Sequence, residues 1–188
     1  MSKVQFGISN VYLFTRTVGA NNAVTYSSPV HLPGSVSLTL EPQAEDNIFY
    51  ADNIKYWVSN TMQGYEVELE VASIPDAIKT AFLGYATATN DNLVETNATG
   101  GTFGMVFQFE TDTESRRCQL FNCTMSRPDE EHNTQEESTD PDTQSLTISV
   151  AGDTVGTVVC FKSEIHKDDA NYATAFTAMA LPVFSSGS

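Results

Sequence analysis

Basic residues are scarce in this sequence. Lysine and arginine together number 9 in 188 residues, against 24 aspartates and glutamates, so the formal charge is −15. A protein that holds duplex DNA through its phosphates needs a cluster of basic side chains, and this composition argues against such a protein. The composition is compatible with a protein past which nucleic acid moves without being held.

Cysteines and long apolar runs are also scarce. The three cysteines, Cys118, Cys123 and Cys160, are an odd number, and residues 1–10 contain no long apolar segment of the kind that directs export. We therefore expect reduced thiols and synthesis in a cytoplasm. Cys118 and Cys123 are five positions apart and are expected on opposite faces of a strand, which argues against a shared metal. No apolar run is long enough to span a membrane.

Motifs of catalysis and cofactor binding are missing as well. The sequence has no GxSxG elbow, P-loop, HExxH motif or Rossmann glycine pattern. His31, His132 and His166 occur in unrelated turns or loops without the spacing of metal ligands. Carboxylate pairs for a glycosidase can be drawn from any of the 24 acidic residues, so such a pairing carries no information. We expect a protein that is not an enzyme and has no catalytic residue, metal ligand or cofactor.

The clearest pattern that is present is a strict alternation over residues 65–71. Three aliphatic residues fall on one face and three acidic residues on the other, which predicts a strand. The aliphatic residues are Val67, Leu69 and Val71, and the acidic residues are Glu66, Glu68 and Glu70. Alternate carboxylates are about 6.6 Å apart and repel by roughly 0.6 kcal/mol in water, so this face is expected to contact solvent or cations. A second alternating set of acids is Glu110, Asp112 and Glu114.

A short helix is predicted after this strand, at about residues 74–83. Ser73 is a candidate N-cap, and Ile78 and Phe82 continue an apolar stripe that begins at Ile74. The rest of the chain contains short strands separated by turns, and residues 174–184, ambiguous between helix and strand, are assigned to a last strand.

These elements predict a mainly β fold of the α+β type, a two-sheet β-sandwich or an open barrel with one flanking helix. Residues 1–184 are expected to form a single domain, and residues 185–188 a loose tail. The acidic residues 126–144 are expected to form a mobile loop or a ribbon extension.

Residues 42–63 are predicted to form a long loop rich in aromatic residues. A loop of this length in a compact domain is usually functional or mobile. It either folds back over its own core or docks on a neighbouring chain, as interface aromatics do. The candidate interface residues in this loop are Phe49, Tyr50, Ala51, Asp52, Asn53, Tyr56 and Trp57.

Several short sequence segments occur in a characteristic order along the chain. They are GISNVYLF at residues 7–14, a Pro-Gly turn before SVSLTL at 35–40, FYADN at 49–53, GYEVELEVASIPD at 64–76, and an acidic RPDEE–TQEES stretch that leads into a strand. In this order the chain resembles the major tail protein, or tail tube protein, of long-tailed phages with non-contractile tails, in the branch of Gram-positive phages and prophages.

The resemblance implies a structural protein of the virion tail, made in the host cytoplasm. Such proteins have a β-sandwich or barrel core with a flanking helix, assemble into stacked hexameric rings, and surround a lumen through which DNA passes without specific binding. The tape-measure protein, the tail terminator and the distal tail protein are implied partners, and the long loop contacts neighbouring subunits. Residues Glu66, Glu68, Glu70, Glu110, Asp112 and Glu114 are the candidates for the lumen wall.

Other functions stay open on the sequence alone. A carbohydrate-binding or adhesin sandwich would use the aromatic segment as a sugar platform. A tube component of a type VI-like secretion system, or a tail terminator, would use a related fold for a different assembly. An enzyme finds no support among the motifs.

Overall fold

The computed structural model describes residues 5–51, 54–111, 115–128 and 143–184. The structure is mainly β, with a large antiparallel sheet, two small two-stranded sheets and a short helix, so the predicted fold class is confirmed. The strands are β1 (Gln5–Val18), β2 (Val24–Leu32), β3 (Ser35–Ala51), β4 (Ile54–Val71), β5 (Tyr85–Thr87), β6 (Leu93–Glu95), β7 (Phe103–Thr111), β8 (Arg117–Met125), β9 (Gln144–Val150), β10 (Asp153–Val155), β11 (Val158–Cys160) and β12 (Lys162–Ile165). The predicted tail, residues 185–188, and most of the acidic stretch 126–144 lie outside the described residues.

The large sheet has the strand order β2-β1-β7-β8-β9-β4-β3, and β12 adds to it by pairing with β8. Cα atoms of β1 and β3 approach within 8 Å, although four strands separate these two in the order. The sheet is therefore strongly curled in the manner of an open barrel, with an inner and an outer face.

The inner face of the curled sheet holds the main hydrophobic core. Val67, Leu69 and Val71 of β4 are buried in it, as their alternation predicts. Phe103 and Phe107 of β7, a strand several places away from β4 in the curled sheet, pack in the same core. These positions alternate with outward ones along each strand, so the polar residues of β4 are left on the outer face.

Helix α1, Asp76–Phe82, packs against the inner core through Ile78 and Phe82. The helix predicted at about residues 74–83 is confirmed, but the prediction of Ser73 as its cap is wrong. The N-cap is Pro75, and no side chain caps the first turn. A proline drives the residue before it out of the α region, so the helix cannot begin before Pro75.

The outer face of β1, β7 and β8 is covered by the chain that follows β9. Phe14, Val106 and Phe121 of the sheet pack there against Ile165 and Met179. This second cluster ties the C-terminal part of the chain to one half of the sheet. The outer face of the other half, β3, β4 and β9, carries the polar positions.

The prediction of a last strand over residues 174–184 is wrong. The chain turns repeatedly up to Thr177, whose N–H bonds to the carbonyl oxygen of Thr174 at 2.9 Å, and is irregular beyond it. Ala175 and Met179 are four positions apart and both pack on the sheet. Successive turns bring residues at that spacing to one side, whereas side chains on a strand would alternate.

The prediction of a long loop over residues 42–63 is also wrong. Strands β3 and β4 pair in an antiparallel hairpin over almost their whole length. Only Tyr65–Val71 of β4 also pairs with β9, so residues 44–51 and 54–62 form a two-stranded ladder beyond the sheet, here called the hairpin arm. A ladder outside the barrel does not have to bury one face in the core, so its sequence shows no single period.

Cys118 and Cys123 lie on the same face of the sheet, contrary to prediction. Both are buried in the inner core. The register between β7 and β8 shifts between Leu120 and Cys123, and Asn122 has a φ of 52°. This bulge adds one residue to β8 and thereby resets the alternation.

Candidate functional site

Carboxylate and hydroxyl side chains occupy three consecutive cross-strand rows on the outer face of β3, β4 and β9. Cross-strand pairing places Glu66 between Glu41 of β3 and Ser149 of β9, and the following outward positions repeat this arrangement. All of these residues are exposed except Glu70, which is half-buried. We call this surface the acidic face, and its residues are Ser37, Thr39, Glu41, Glu66, Glu68, Glu70, Ser145, Thr147 and Ser149.

Glu70 is held in place by two hydroxyl groups. Thr143 Oγ1 donates to Glu70 Oε1 at 2.5 Å, and Ser37 Oγ donates to Glu70 Oε2 at 3.0 Å. These bonds, the one from Thr143 first, hold the pKa of Glu70 below its ordinary value, since they favour the charged carboxylate. The acidic face is therefore charged at neutral pH at this position.

Negative charge is concentrated at the end of the acidic face that lies next to the arm. Glu41 and Glu66 are direct cross-strand partners. Side chains in such pairs are about 5 Å apart at Cβ, and like charges there destabilise the sheet. At the start of the arm, Glu45 accepts a hydrogen bond of 2.7 Å from Gln63 Nε2. A polyanion near this end of the sheet would meet carboxylates on both strands.

The structure brings together only part of the predicted wall. Glu66, Glu68 and Glu70 form one row, as predicted, and Glu41 joins them. Glu110 lies on β7, which β8 and β9 separate from β4 in the sheet order, so it is not part of that row. The two remaining candidates, Asp112 and Glu114, lie outside the described residues.

Five of the seven candidate interface residues belong to the hairpin arm. The backbone places Phe49 opposite Trp57, and Tyr50 opposite Lys55. Ala51 ends β3 and Tyr56 lies within β4, whereas Asp52 and Asn53 lie outside the described residues. Eight residues of β3 belong to the arm, so it extends about 25 Å beyond the sheet. Within the described residues, the arm pairs with no third strand.

An apolar groove of about 410 Å³ lies at the base of the arm and was missed by sequence reasoning. Val158 and Val159 of β11 are each 47% exposed there, and Phe184 is 53% exposed. A pair of consecutive valines in a short strand resembles a buried strand, so the pattern gave no sign of exposure. The residues that give the groove its apolar lining include Met62, Tyr65, Val158, Val159, Pro182 and Phe184.

Across residues 5–51, 54–111, 115–128 and 143–184, no three His, Cys, Asp or Glu side chains form a metal-binding group. Nor does this part of the chain contain a helix that is long and apolar enough to cross a membrane. Compared with known proteins, the chain matches no protein-family model and no curated protein.

Proposed function

We propose that this chain is a structural subunit that assembles with copies of itself into a tube, as the major tail protein of a long-tailed phage with a non-contractile tail does. The observation that carries the proposal is the acidic face. Its nine positions, which form three consecutive cross-strand rows on three adjacent strands, are all Ser, Thr or Glu. Such a surface offers hydroxyl groups and negative charge to whatever passes it.

A wall of this kind suits the passage of DNA. Carboxylates repel the phosphates of DNA, and at physiological salt the repulsion reaches about 8 Å, so it prevents adhesion at the wall without acting at long range. The row of Glu66, Glu68 and Glu70 is the part of the wall that we assign to the lumen. The hexameric rings, the passage of DNA and the virion location follow from the family resemblance and belong to the proposal.

The hairpin arm supports the assembly part of the proposal. An isolated two-stranded hairpin is marginally stable in water and needs a third strand or a packing surface. The arm extends away from the sheet, and its sequence includes Phe49, Tyr50, Tyr56 and Trp57. Aromatic residues of this kind are enriched at protein interfaces. A neighbouring subunit would supply the surface that the arm needs.

The proposal is tested by negative-stain electron microscopy and sedimentation of the purified protein over a concentration series. Rings or tubes with a central hole are the expected result. A monomer at every concentration, together with saccharide-dependent quenching of Trp57 fluorescence, would replace the tube by a carbohydrate-binding module. Compact oligomers without a hole would exclude a conduit.

The lumen assignment has its own test. In tubes formed by the protein, carboxyl groups of the acidic face should be protected from a bulky water-soluble carbodiimide–amine label too large to enter the tube. Labelling of Glu66, Glu68 and Glu70 in tubes at the rate found in monomers would show that this face lies outside. Asp168, which is exposed in a turn after β12, serves as the internal reference.

A further inference from the structure

The groove at the base of the arm is an exposed apolar surface. Of the seven large hydrophobic side chains that are strongly exposed in the described residues, Val158, Val159 and Phe184 line this one groove. Pro182 and Met62 extend its apolar lining. An apolar surface concentrated in this way usually marks a site of protein interaction.

One basic residue lies in the groove of this otherwise acidic chain. Lys162 lines it, with its Nζ 5.9 Å from the centre of the Tyr65 ring. Strand β12 pairs with the start of β8, which brings Lys162 and Arg116 to the same carboxylate, Glu164, at 2.9 and 3.0 Å. Two cations thus share one carboxylate on the strand that carries Lys162.

The hairpin arm has the complementary composition. Residues 44–51 and 54–62 contain two acids, Glu45 and Asp46, and one base, Lys55, together with Ile48, Phe49, Tyr50, Ile54, Tyr56, Trp57 and Val58. The sequence of the arm is therefore rich in apolar residues and net negative, whereas the apolar groove has one cation, Lys162, and no carboxylate among its lining residues. This match of charge and polarity favours association of the two surfaces.

We propose that the groove at the base of the arm is the docking site for the hairpin arm of a second copy of this chain. This inference rests on the proposed function and adds the receiving surface to it. A contact between two different surfaces of identical chains is heterologous, and repetition of it closes a ring or extends a filament. Each subunit both inserts its arm and receives one, so the contact needs no other protein.

Directional cross-linking tests the contact. One variant carries Val158→Cys in the groove, and another carries Ile54→Cys in the arm. Cys118 and Cys123 are buried in the inner core, whereas Cys160 lines the groove. Both variants therefore also carry Cys160→Ser, so that a short bismaleimide reacts with the introduced thiols. We expect cross-linked dimers in the mixture of the two variants at about tenfold the yield of either variant alone, the contrast that a 1.4 kcal/mol preference produces.

A matched control uses Val94→Cys in place of Val158→Cys, because Val94 is 45% exposed in β6 and does not line the groove. Equal yields from the two mixtures would overturn the assignment of the groove. Dimers formed by the Val158→Cys variant alone would indicate that groove meets groove, which also overturns it.

Disruption of the groove separates this inference from the proposed function. A charge placed in a buried apolar contact is strongly unfavourable, so Val158→Asp should raise the protein concentration needed for assembly about tenfold or more, and Val94→Asp should leave it unchanged. Circular dichroism establishes that each variant is folded. If the wild type forms tubes and Val158→Asp forms them equally well, the groove is not the docking site, although the proposal of a tube is unaffected. If the wild type forms no assembly at any concentration, the proposed function fails as well.

Discussion

At the scale of single residues, the best-defined polar cluster lies away from the acidic face. Asp153 is 3% exposed and accepts hydrogen bonds from Arg16, with Nε 3.1 Å from both carboxylate oxygens and an Nη2–Oδ1 distance of 2.5 Å. The hydroxyl of Tyr26 also donates to Asp153 and accepts from the backbone N–H of Asn122. Burial first, and then the bond to Asp153, raises the pKa of Tyr26. The cluster links β1 and β2 to β8 and β10.

Replacement of Asp153 by alanine should therefore destabilise the fold. It would leave the Arg16 guanidinium, whose side chain is 14% exposed, without its anion. Breaking one partner of a buried pair costs about 3–5 kcal/mol, and we expect a loss of that size in urea unfolding. Tyr26→Phe removes one hydroxyl and should cost about 1–3 kcal/mol. A loss for Asp153→Ala no larger than that for Tyr26→Phe would contradict a central role for this carboxylate.

Glu70 provides a pH-dependent prediction. Its pKa is lowered by hydrogen bonds from Thr143 and Ser37, so these bonds stabilise the fold above the pKa of the unfolded state. That contribution is lost as the pH falls through the lower pKa of the folded state. In the Thr143→Ala and Ser37→Ala double variant, the pKa of Glu70 should rise toward its ordinary value. An NMR titration of the side-chain carboxyl measures it, and an unchanged pKa would show that the hydroxyls do not bind the carboxylate in solution.

At the scale of elements, the sequence predicted those whose period is set by one buried face. Val67, Leu69 and Val71 identify β4, because every second residue must enter the core. Strand β8, Arg117–Met125, was predictable only in part, since Cys118 and Cys123 were expected on its opposite faces. Its bulge at Asn122 was missed because no local pattern distinguishes one extra residue from continued alternation.

The hairpin arm and the C-terminal segment were missed for a different reason. The pairing of residues 44–51 with 54–62 depends on backbone hydrogen bonds between strands, which leave no periodic trace when neither face has to enter the barrel core. Ala175 and Met179 are held by packing against β7 and β8, and that packing surface exists only once the sheet has formed. Of the acidic face, the row in β4 was predictable from its alternation, whereas its alignment with Glu41 required the strand register.

The junction between the barrel and the arm leads to a prediction about Gly64. This glycine has a φ of 148°, and a Cβ added to it would collide with the backbone carbonyl of Val150. Gly64→Ala should therefore lower the free energy of unfolding by about 1–3 kcal/mol from backbone strain alone, and further from the collision. Gly156→Ala is the control, because Gly156 has a φ of 65° but nothing within 4 Å of the added Cβ. Equal losses for the two variants would show that the contact between Gly64 and β9 relaxes without cost.

At the scale of the whole molecule, charge opposes the association of identical chains. Each copy carries −15, so contacts between copies form against a mutual repulsion. The range of that repulsion falls from about 30 Å at 0.01 M salt to about 8 Å at 0.15 M. A tube with the acidic face turned inward would bring the carboxylates of several copies toward one lumen. Assembly should therefore require less protein as the salt concentration rises.

The effect of where the negative charge lies can be tested separately from the effect of the total net charge. A variant with Glu66→Gln, Glu68→Gln and Glu70→Gln should assemble at low salt at a lower protein concentration than the wild type, and its assembly should depend less on salt. The control carries Asp76→Asn, Asp91→Asn and Asp168→Asn, which remove three charges from exposed positions on separate elements. Light scattering over a salt series compares the two. If the acidic face lines a lumen, the first variant departs further from the wild type, because its charges converge in the tube. If both variants respond equally, only net charge matters and the acidic face does not point inward.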